Sequence, residues 1–562
     1  MTESNTVSRR TLLAGAGALG IGALGAETAG TTPSAGSSAS AIGTAACARP
    51  NIVMIMADDF GFSDVGCFGG EIATPNIDNL ARDGQRFTQL YTYPVCSPTR
   101  AALLTGLYPT QAGLGALGNQ GTPEYQGHLK ESCVTLAQVL GMAGYRTSVS
   151  GKWHISPWTL PESLPVGRGF ERSFCPVGDR FTYYLPQRYL DGELIGRPDE
   201  PGYHVTEAIT DHAIASIRQF AAADDPFFVY VPHSAAHYPL HAWPEDIEPY
   251  RGRYLGGWGR LREERFERQR ALGVIDPDTV LPHPGPGVPD WDSDPDKDWQ
   301  DSRMAAYAAM VTVMDRGIGR ILATLDELGI ADNTLVLFFG DNGGAVNEVV
   351  PGNNSNVPTL DGSPMIDGNV RGVSPGPHNT WASYGRAWAS VSNTPFSRWK
   401  NWVHEGGIAT PFIARWPASL PGGGIDHRAL HVIDFMPTLL ELAGASYPTS
   451  HDGHAITPME GESFATVLTD AAGTSGWRRN TPMFWEYNGN RAVRRHRWKL
   501  VSEYGAPGAG QWELYDIGTD RTETRNLAAT RPDLVADLAG EWQDWKVRVG
   551  VRDWEPGDGY RP

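Results

Sequence analysis

Cysteine is scarce in this chain, with 5 residues in 562, and the number is odd. Cys47, Cys67, Cys96, Cys133 and Cys175 are too few to staple a fold of this length, so the core is expected to hold without a disulfide framework. Positive charge is also in deficit: Lys and Arg total 46 against 64 Asp and Glu, a formal net charge of -18. That balance excludes nucleic acid and anionic membrane as principal partners, since both repel it. A small anion is not excluded, because a few cations in a cleft outweigh distant charge. Past Ala26 no segment is long and apolar enough to span a bilayer, so no stable membrane insertion is expected after signal removal. No internal repeat is present. Glycine (66) and proline (42) are plentiful, as in a chain with many ordered loops.

The amino terminus carries its own signal. Ser8-Arg9-Arg10-Thr11-Leu12-Leu13 is a twin-arginine pattern, followed by a Gly/Ala-rich, weakly apolar stretch to about Ala26 and a small, polar region from Thr28 to Ala46. Such a segment is an export address, not part of the fold, and predicts a periplasmic, cell-surface or secreted protein. Residues 1–47 are therefore set apart from a catalytic domain over 48–446 and a smaller subdomain over 447–562.

Short apolar, β-branched or aromatic runs recur at Asn51 to Met56, Arg146 to Val149, Pro226 to Val231, Thr334 to Phe339 and Pro411 to Ala414. They read as buried strands. Helical patterns lie between them, at Val205 to Ala223 and Ser302 to Leu328. The alternation predicts an α/β fold, a large mostly parallel sheet flanked by helices, with its site at the carboxyl ends of the strands. Polar residues fall at those ends: Asp58-Asp59, then Lys152 and His154, then His237, then Asp341-Asn342. Residues 251–301 and 346–392, rich in Gly, Pro, Asn, Trp and Asp, are expected as insertions capping the site. Leu430 to Gly444 reads as a helix closing the first domain. Strand-like pieces at Met483 to Tyr487, Trp498 to Ser502 and Trp512 to Asp516, with a helix from Pro532 to Arg548, predict a small antiparallel sheet crossed by a helix.

The most specific stretch is Cys96-Ser97-Pro98-Thr99-Arg100-Ala101-Ala102-Leu103-Leu104-Thr105-Gly106. Pro98 suits a first helical turn and Gly106 a helix stop. That places Cys96 just before a helix N-terminus, where amide dipoles favour developing negative charge, and brings Arg100 one turn along. Asp58-Asp59 and Asp341-Asn342 offer hard oxygen donors, which suit calcium or magnesium and argue against zinc. Arg100, Lys152 and Lys400 are candidates to counter charge on a transferred group. His237 and Lys400 are candidates to stabilise or protonate a leaving oxygen.

The Cys96 stretch resembles the signature of the type I sulfatases, with Thr99 where Ser or Ala is commoner. Gly144-Tyr145-Arg146-Thr147-Ser148-Val149-Ser150-Gly151-Lys152-Trp153-His154 matches that family's second signature. The likeness extends through Trp485 to Val493, Trp498 to Val501 and Trp512 to Asp516, which resemble the second domain of bacterial arylsulfatases. The resemblance implies an alkaline-phosphatase-like fold and one calcium per chain, held by Asp58, Asp59, Asp341 and Asn342. It further implies that Cys96, oxidised to formylglycine by a formylglycine-generating enzyme before export, completes the metal shell and supplies the nucleophile, dividing one displacement into two steps. It gives Lys152 a sulfate oxygen, His154 a hydroxyl of the hydrated aldehyde, and Asp341 the nucleophile's proton. It falls on His237, not His233 or His241, and on Lys400 as the last basic position.

The reading is thus an exported, arylsulfatase-type hydrolase of small sulfate monoesters. A phosphonate monoester or phosphate diester hydrolase with the same site is the rival enzyme. A catalytically silent binding protein on the same fold is the third possibility, and it predicts a missing site residue where none is missing.

Overall fold

The computed structural model describes residues 49–177, 181–352, 356–470, 475–504 and 510–554. The twin-arginine segment and Cys47 lie outside the described residues. Ten strands form the main sheet: β1 (Asn51–Ala57), β2 (Gln85–Tyr91), β3 (Arg146–Ser150), β4 (Arg172–Val177), β5 (Gln187–Leu190), β6 (Glu193–Gly196), β7 (Phe227–Pro232), β8 (Thr334–Gly340), β9 (Ala409–Arg415) and β10 (Gly424–His431). Their order is β10-β2-β9-β8-β1-β7-β3-β4-β5-β6.

The continuous apolar runs take the centre, where a strand is buried on both faces. β1 is buried from Ile52 to Ala57 and lies parallel between β7 and β8, with Met56 opposite Pro232 and Ala57 opposite Gly340. The expected parallel arrangement holds for the block β8-β1-β7-β3-β4, but the whole sheet is mixed. β9 runs antiparallel between β8 and β2, and the β5–β6 hairpin extends the far edge. β2, Gln-Arg-Phe-Thr-Gln-Leu-Tyr, is absent from the runs read in the sequence because polar residues break up its apolar ones. Helices Val205–Ala221 and Lys297–Glu327 match the helical patterns and pack on one another beside the sheet.

One consequence of this order positions the site. The carboxyl ends of β1, β2, β3, β7 and β8 and the amino end of antiparallel β9 all reach the same edge of the sheet. Chain order reverses about β1, and the crevice that opens there is where an α/β sheet binds its ligand.

Part of the 251–301 segment, expected to cap the site, packs against the turn after β1 and the chain before Lys400. It forms a helix, Gly257–Ala271, whose Arg265 is fully buried and pairs with Asp64 at 2.8 Å and Glu71 at 2.7 Å. It buttresses the turn after β1 from behind. The Leu430 to Gly444 reading is trimmed to a helix over Phe435–Ala443, since β10 runs through His431.

The C-terminal part adds four antiparallel strands, β11 (Met483–Tyr487), β12 (Asn490–Arg495), β13 (Trp498–Ser502) and β14 (Glu513–Asp516). Asn488 and Gly489, both at positive φ, make the two-residue turn between the first pair. Helix Pro532–Val549 covers this sheet, with Trp545 stacked on Phe484 at 5.2 Å between ring centroids. Trp485 donates its indole N–H to the Thr92 carbonyl at 2.8 Å, tying the small sheet to the end of β2. Cys67, Cys96, Cys133 and Cys175 are all free thiols, as the low cysteine count predicts. No helix among the described residues is long and apolar enough to cross a membrane.

Candidate active site

Cys96 is the first residue of the helix Cys96–Thr105, not the residue before it, and is almost fully buried. The extended N-cap Val95 turns the chain from β2 into this helix, and Gly106 ends it in the left-handed conformation at φ 69°. The helix starts at the shared sheet edge, so its free N–H groups face the strand ends.

Three strand ends interlock there. Asp341 N–H donates to the Ala57 carbonyl at 3.0 Å, and Asp58 N–H donates to the Ala235 carbonyl at 2.9 Å. Asp59 N–H donates to Asp341 Oδ1 at 3.0 Å. Lys152 N–H donates to the Pro232 carbonyl at 2.7 Å, through the turn at Gly151. A side chain at Gly151 would put its Cβ 1.9 Å from the Pro232 carbonyl oxygen, so only glycine permits this approach.

The sequence-derived residues meet at this edge. Ligand atoms of Asp58, Cys96 and Asp341 lie within 4.8 Å of one another, all buried. Arg100 places Nη2 2.8 Å from Asp341 Oδ2 and 3.7 Å from Asp58 Oδ1, and donates through Nη1 to the Lys152 carbonyl at 2.7 Å. Lys152 Nζ lies 2.5 Å from Asp58 Oδ2. His154 Nδ1 lies 3.2 Å from Cys96 Sγ. Lys400 Nζ contacts both oxygens of Asp59, at 2.6 and 2.8 Å.

Asp59 is the exception to a simple shared cluster. Its left-handed backbone, φ 55°, turns its carboxylate away from that of Asp58, toward Lys400, His237 and the Asn342 amide. Asn342 Nδ2 donates to Asp59 Oδ1 at 2.8 Å, which leaves Asn342 Oδ1 buried without a hydrogen-bond partner; Asp58 Oδ1 is in the same position. Buried oxygens in that state are costly unless a cation meets them. These orphaned hard oxygens, one on Asp58 of the three-residue cluster and one on Asn342 beside Asp341, fit a calcium-type ion.

Among the three neighbouring histidines, His237 reaches the site, with Nε2 3.4 Å from Asp59 Oδ2 and Nδ1 2.5 Å from the Tyr238 carbonyl. His241 is instead engaged by the Thr380 carbonyl at 2.6 Å, and His233 is fully buried.

Charge organises these groups. Burial alone would raise both Asp58 and Asp59. For Asp58 the cations Lys152, His237 and Arg100 outweigh burial, and for Asp59 Lys400 and His237 do, so both carboxyls sit below the usual range. Asp341 goes the other way: burial, reinforced by the charge of Asp58, overcomes Arg100 and lifts it well above. Burial would lower Lys152 and Lys400, but Asp58 and Asp59 respectively hold them charged, above the usual lysine range. His154, exposed at the mouth yet walled by protein, is held well below the ordinary histidine range by that enclosure and by Lys152 and Arg100. Enclosure also takes His237 down to about 4, against the pull of Asp59.

Sequence reasoning missed the wall on the C-terminal side. Val95, Cys96, Ala116, Tyr125 and Tyr487 pack as one cluster, so β11 brings a tyrosine into the apolar group that holds residue 96. A tyrosine before Asn-Gly carries only a hairpin signal. It also missed Glu405, which is fully buried and pairs with Lys499 at 2.8 Å and Arg521 at 3.1 Å. That network anchors the Lys400 segment to β13.

Residues 50–445 match the family model described as Sulfatase, and residues 397–543 match one described as N-sulphoglucosamine sulphohydrolase, C-terminal. The chain is 33% identical over 534 residues to an uncharacterized sulfatase of Schizosaccharomyces pombe, covering 90% of this chain and 94% of that protein. It is 33% identical over 446 residues to an arylsulfatase of Klebsiella aerogenes, covering 75% and 92%. The crystal structure of Ps i-CgsB in complex with k-i-k-neocarrahexaose superposes with a TM-score of 0.62 at 23% identity, covering 88% of this chain and 92% of that one. The structure of BT4656 in complex with its substrate D-glucosamine-2-N,6-O-disulfate does so with a TM-score of 0.57 at 21% identity, covering 90% and 99%. At those identities the two structures speak to the fold.

Proposed function

This chain belongs to the sulfatase family, enzymes that hydrolyse sulfate esters, and from that premise we propose an arylsulfatase-type activity using formylglycine at position 96 and one bound calcium. The observation that carries the reading is the convergence of Asp58, Cys96 and Asp341 within 4.8 Å from two strand ends and a helix start, with oxygens of Asp58 and of neighbouring Asn342 buried without hydrogen-bond partners. The 33% identity to the Klebsiella aerogenes arylsulfatase supports the aryl preference.

Asp58, Asp59, Asp341 and Asn342, with residue 96, are the groups that would hold calcium, which when bound draws electron density from a sulfate oxygen and offsets the buried carboxylates. Cys96, oxidised by a separate modifying enzyme, carries the nucleophilic oxygen. Arg100, Lys152 and Lys400 supply fixed positive charge to the transferred sulfate, with no reorganisation at the moment of reaction. His154, 3.2 Å from the Cys96 sulfur and held neutral, is placed to exchange a proton with the group at position 96. The Lys400 ammonium is a donor to the departing alcohol or phenol oxygen, and His237 becomes one at Nε2 when its ring is protonated, since its Nδ1–H is turned to the Tyr238 carbonyl. Export through the twin-arginine route is part of the same proposal and rests on Arg9 and Arg10.

Mass spectrometry of the peptide containing Cys96, from protein made with the modifying enzyme, is expected to show a loss of about 18 Da from the thiol form. The same sample should turn over nitrophenyl sulfate faster than nitrophenyl phosphate or a phenylphosphonate ester by orders of magnitude. Preference for the phosphonate ester would transfer the site to the rival hydrolase class. Full activity with an unmodified thiol would overturn the formylglycine reading.

A further inference from the structure

A second cleft lies away from this site. It has a volume of about 1040 Å³ and runs between the free edge of β10 and the C-terminal sheet, reaching Gln85 and Gly424 at the amino ends of β2 and β10. None of the residues discussed above as site groups lines it. Its composition runs against that of the chain: five arginines, Arg428, Arg478, Arg479, Arg494 and Arg497, face it in a protein of net charge -18. The carboxylates in its lining are Asp426 and Asp470.

The arginines are not all spent on internal pairs. Arg428 is paired with Asp426, and Arg497 with Asp516. Arg479 pairs with Asp434 through Nη1 alone, and its Nε and Nη2 are buried without a hydrogen-bond partner. Arg494 donates to Gln89 Oε1 at 2.7 Å and to the His496 carbonyl at 3.1 Å, and its Nη1 is likewise without a partner. These two side chains are only 8% and 7% exposed. No ion pair to Arg494 or to the exposed Arg478 exists among the described residues. Guanidinium N–H groups left buried and unsatisfied in a polar cleft are costly unless an anion meets them.

We propose that this cleft binds a stretch of sulfated glycan, as a docking site separate from the one that performs hydrolysis. The arginines enter it from β10, from the segment before β11, from β12 and from the β12–β13 turn, a spread that suits several anionic groups along a chain rather than one small oxyanion. The choice of a sulfated chain over other polyanions rests on the sulfate-ester reading of the first site.

The test uses the full chain with Cys96→Ala, which prevents turnover, and fluorescent dextran sulfate as the probe. Saturable, salt-sensitive binding is expected, weakened about tenfold or more by Arg478→Glu and by Arg494→Gln. Arg478 is exposed, so its variant keeps the fold even where Arg494→Gln does not, and thermal unfolding of both checks this. With Cys96 restored, Arg478→Glu should leave kcat/KM for nitrophenyl sulfate unchanged while lowering turnover of a sulfated polymer. Dextran sulfate binding that neither variant weakens overturns the cleft. So does single-stranded DNA binding as tightly and losing as much in the variants. Loss of the sulfatase reading shows separately, as absent nitrophenyl sulfate turnover in fully modified wild-type protein.

Discussion

Arg100 and Asp341 form an ion pair of 2.8 Å in which neither side chain has any solvent exposure. Arg100 comes from the first turns of the helix that begins at Cys96, and Asp341 follows directly after β8. The pair therefore locks the nucleophile-bearing helix to the centre of the sheet, and it does so inside the candidate metal cluster. Removing one partner of such a pair costs more than the pair contributes, because the other charge stays buried.

Arg100→Met is accordingly expected to lose about 3–5 kcal/mol of stability. It is also expected to lose at least about a hundredfold in kcat for aryl sulfates. Thermal unfolding and steady-state kinetics measure the two effects. If calcium occupies the cluster, added calcium should recover part of the stability and none of the kcat.

Chelation supplies the direct test of the ion. EGTA treatment should lower the unfolding temperature and abolish activity, and calcium should restore both. A ligand at a hundredfold excess over its Kd stabilises by about 2.7 kcal/mol, well within the range of calorimetry. An unfolding curve indifferent to EGTA and to calcium would remove the metal from the account.

His237→Gln separates protonation of the leaving group from binding. An alkyl alkoxide needs a proton as it leaves and a nitrophenolate hardly does. The variant is expected to lose about 10²–10⁴ in kcat/KM on an alkyl sulfate and much less on nitrophenyl sulfate. Equal losses on both substrates would make His237 a structural residue.

Glu486 provides a separate pH signature, in stability. It lies in β11, accepts the Gly489 N–H at 2.8 Å and the Tyr125 hydroxyl at 3.3 Å, and burial pushes its carboxyl up from 4.5 to about 7. A carboxyl whose folded pKa is raised binds more protons in the native state than in the unfolded state between those two values. Its contribution is complete below about pH 4.5 and is lost as pH rises through about 7, a change on the order of 3 kcal/mol. Glu486→Gln should remove that part of the fall in stability between pH 4.5 and 7, as read by denaturant titration across the range. A variant profile parallel to wild type would show that Glu486 does not titrate there.

The central strands were legible because each is a continuous apolar run ending in polar residues, which is what burial on both faces demands. β2 was not, since polar residues interrupt its apolar ones, and neither was the antiparallel direction of β9, which depends on pairing with β2 and β8. The helix Gly257–Ala271 was hidden by the Gly and Pro at its flanks. At the site, residue types and their places after strands were readable. The side of each group was not: Asp58 and Asp59 are adjacent in sequence, yet face different partners because one backbone angle is positive.

By itself the amino-acid sequence determined the chemistry this protein has to work with: a cysteine at a helix start, carboxylates and cations at strand ends, and enough apolar runs to build one large sheet. These are local properties, set by residue type and short spacing. Tertiary structure alone decided which oxygens were left without hydrogen-bond partners, that Tyr487 would join the cluster around Cys96, and that five arginines from separate segments would share a cleft. Those outcomes depend on strand order and on contacts between residues hundreds of positions apart, for which no short-range pattern exists.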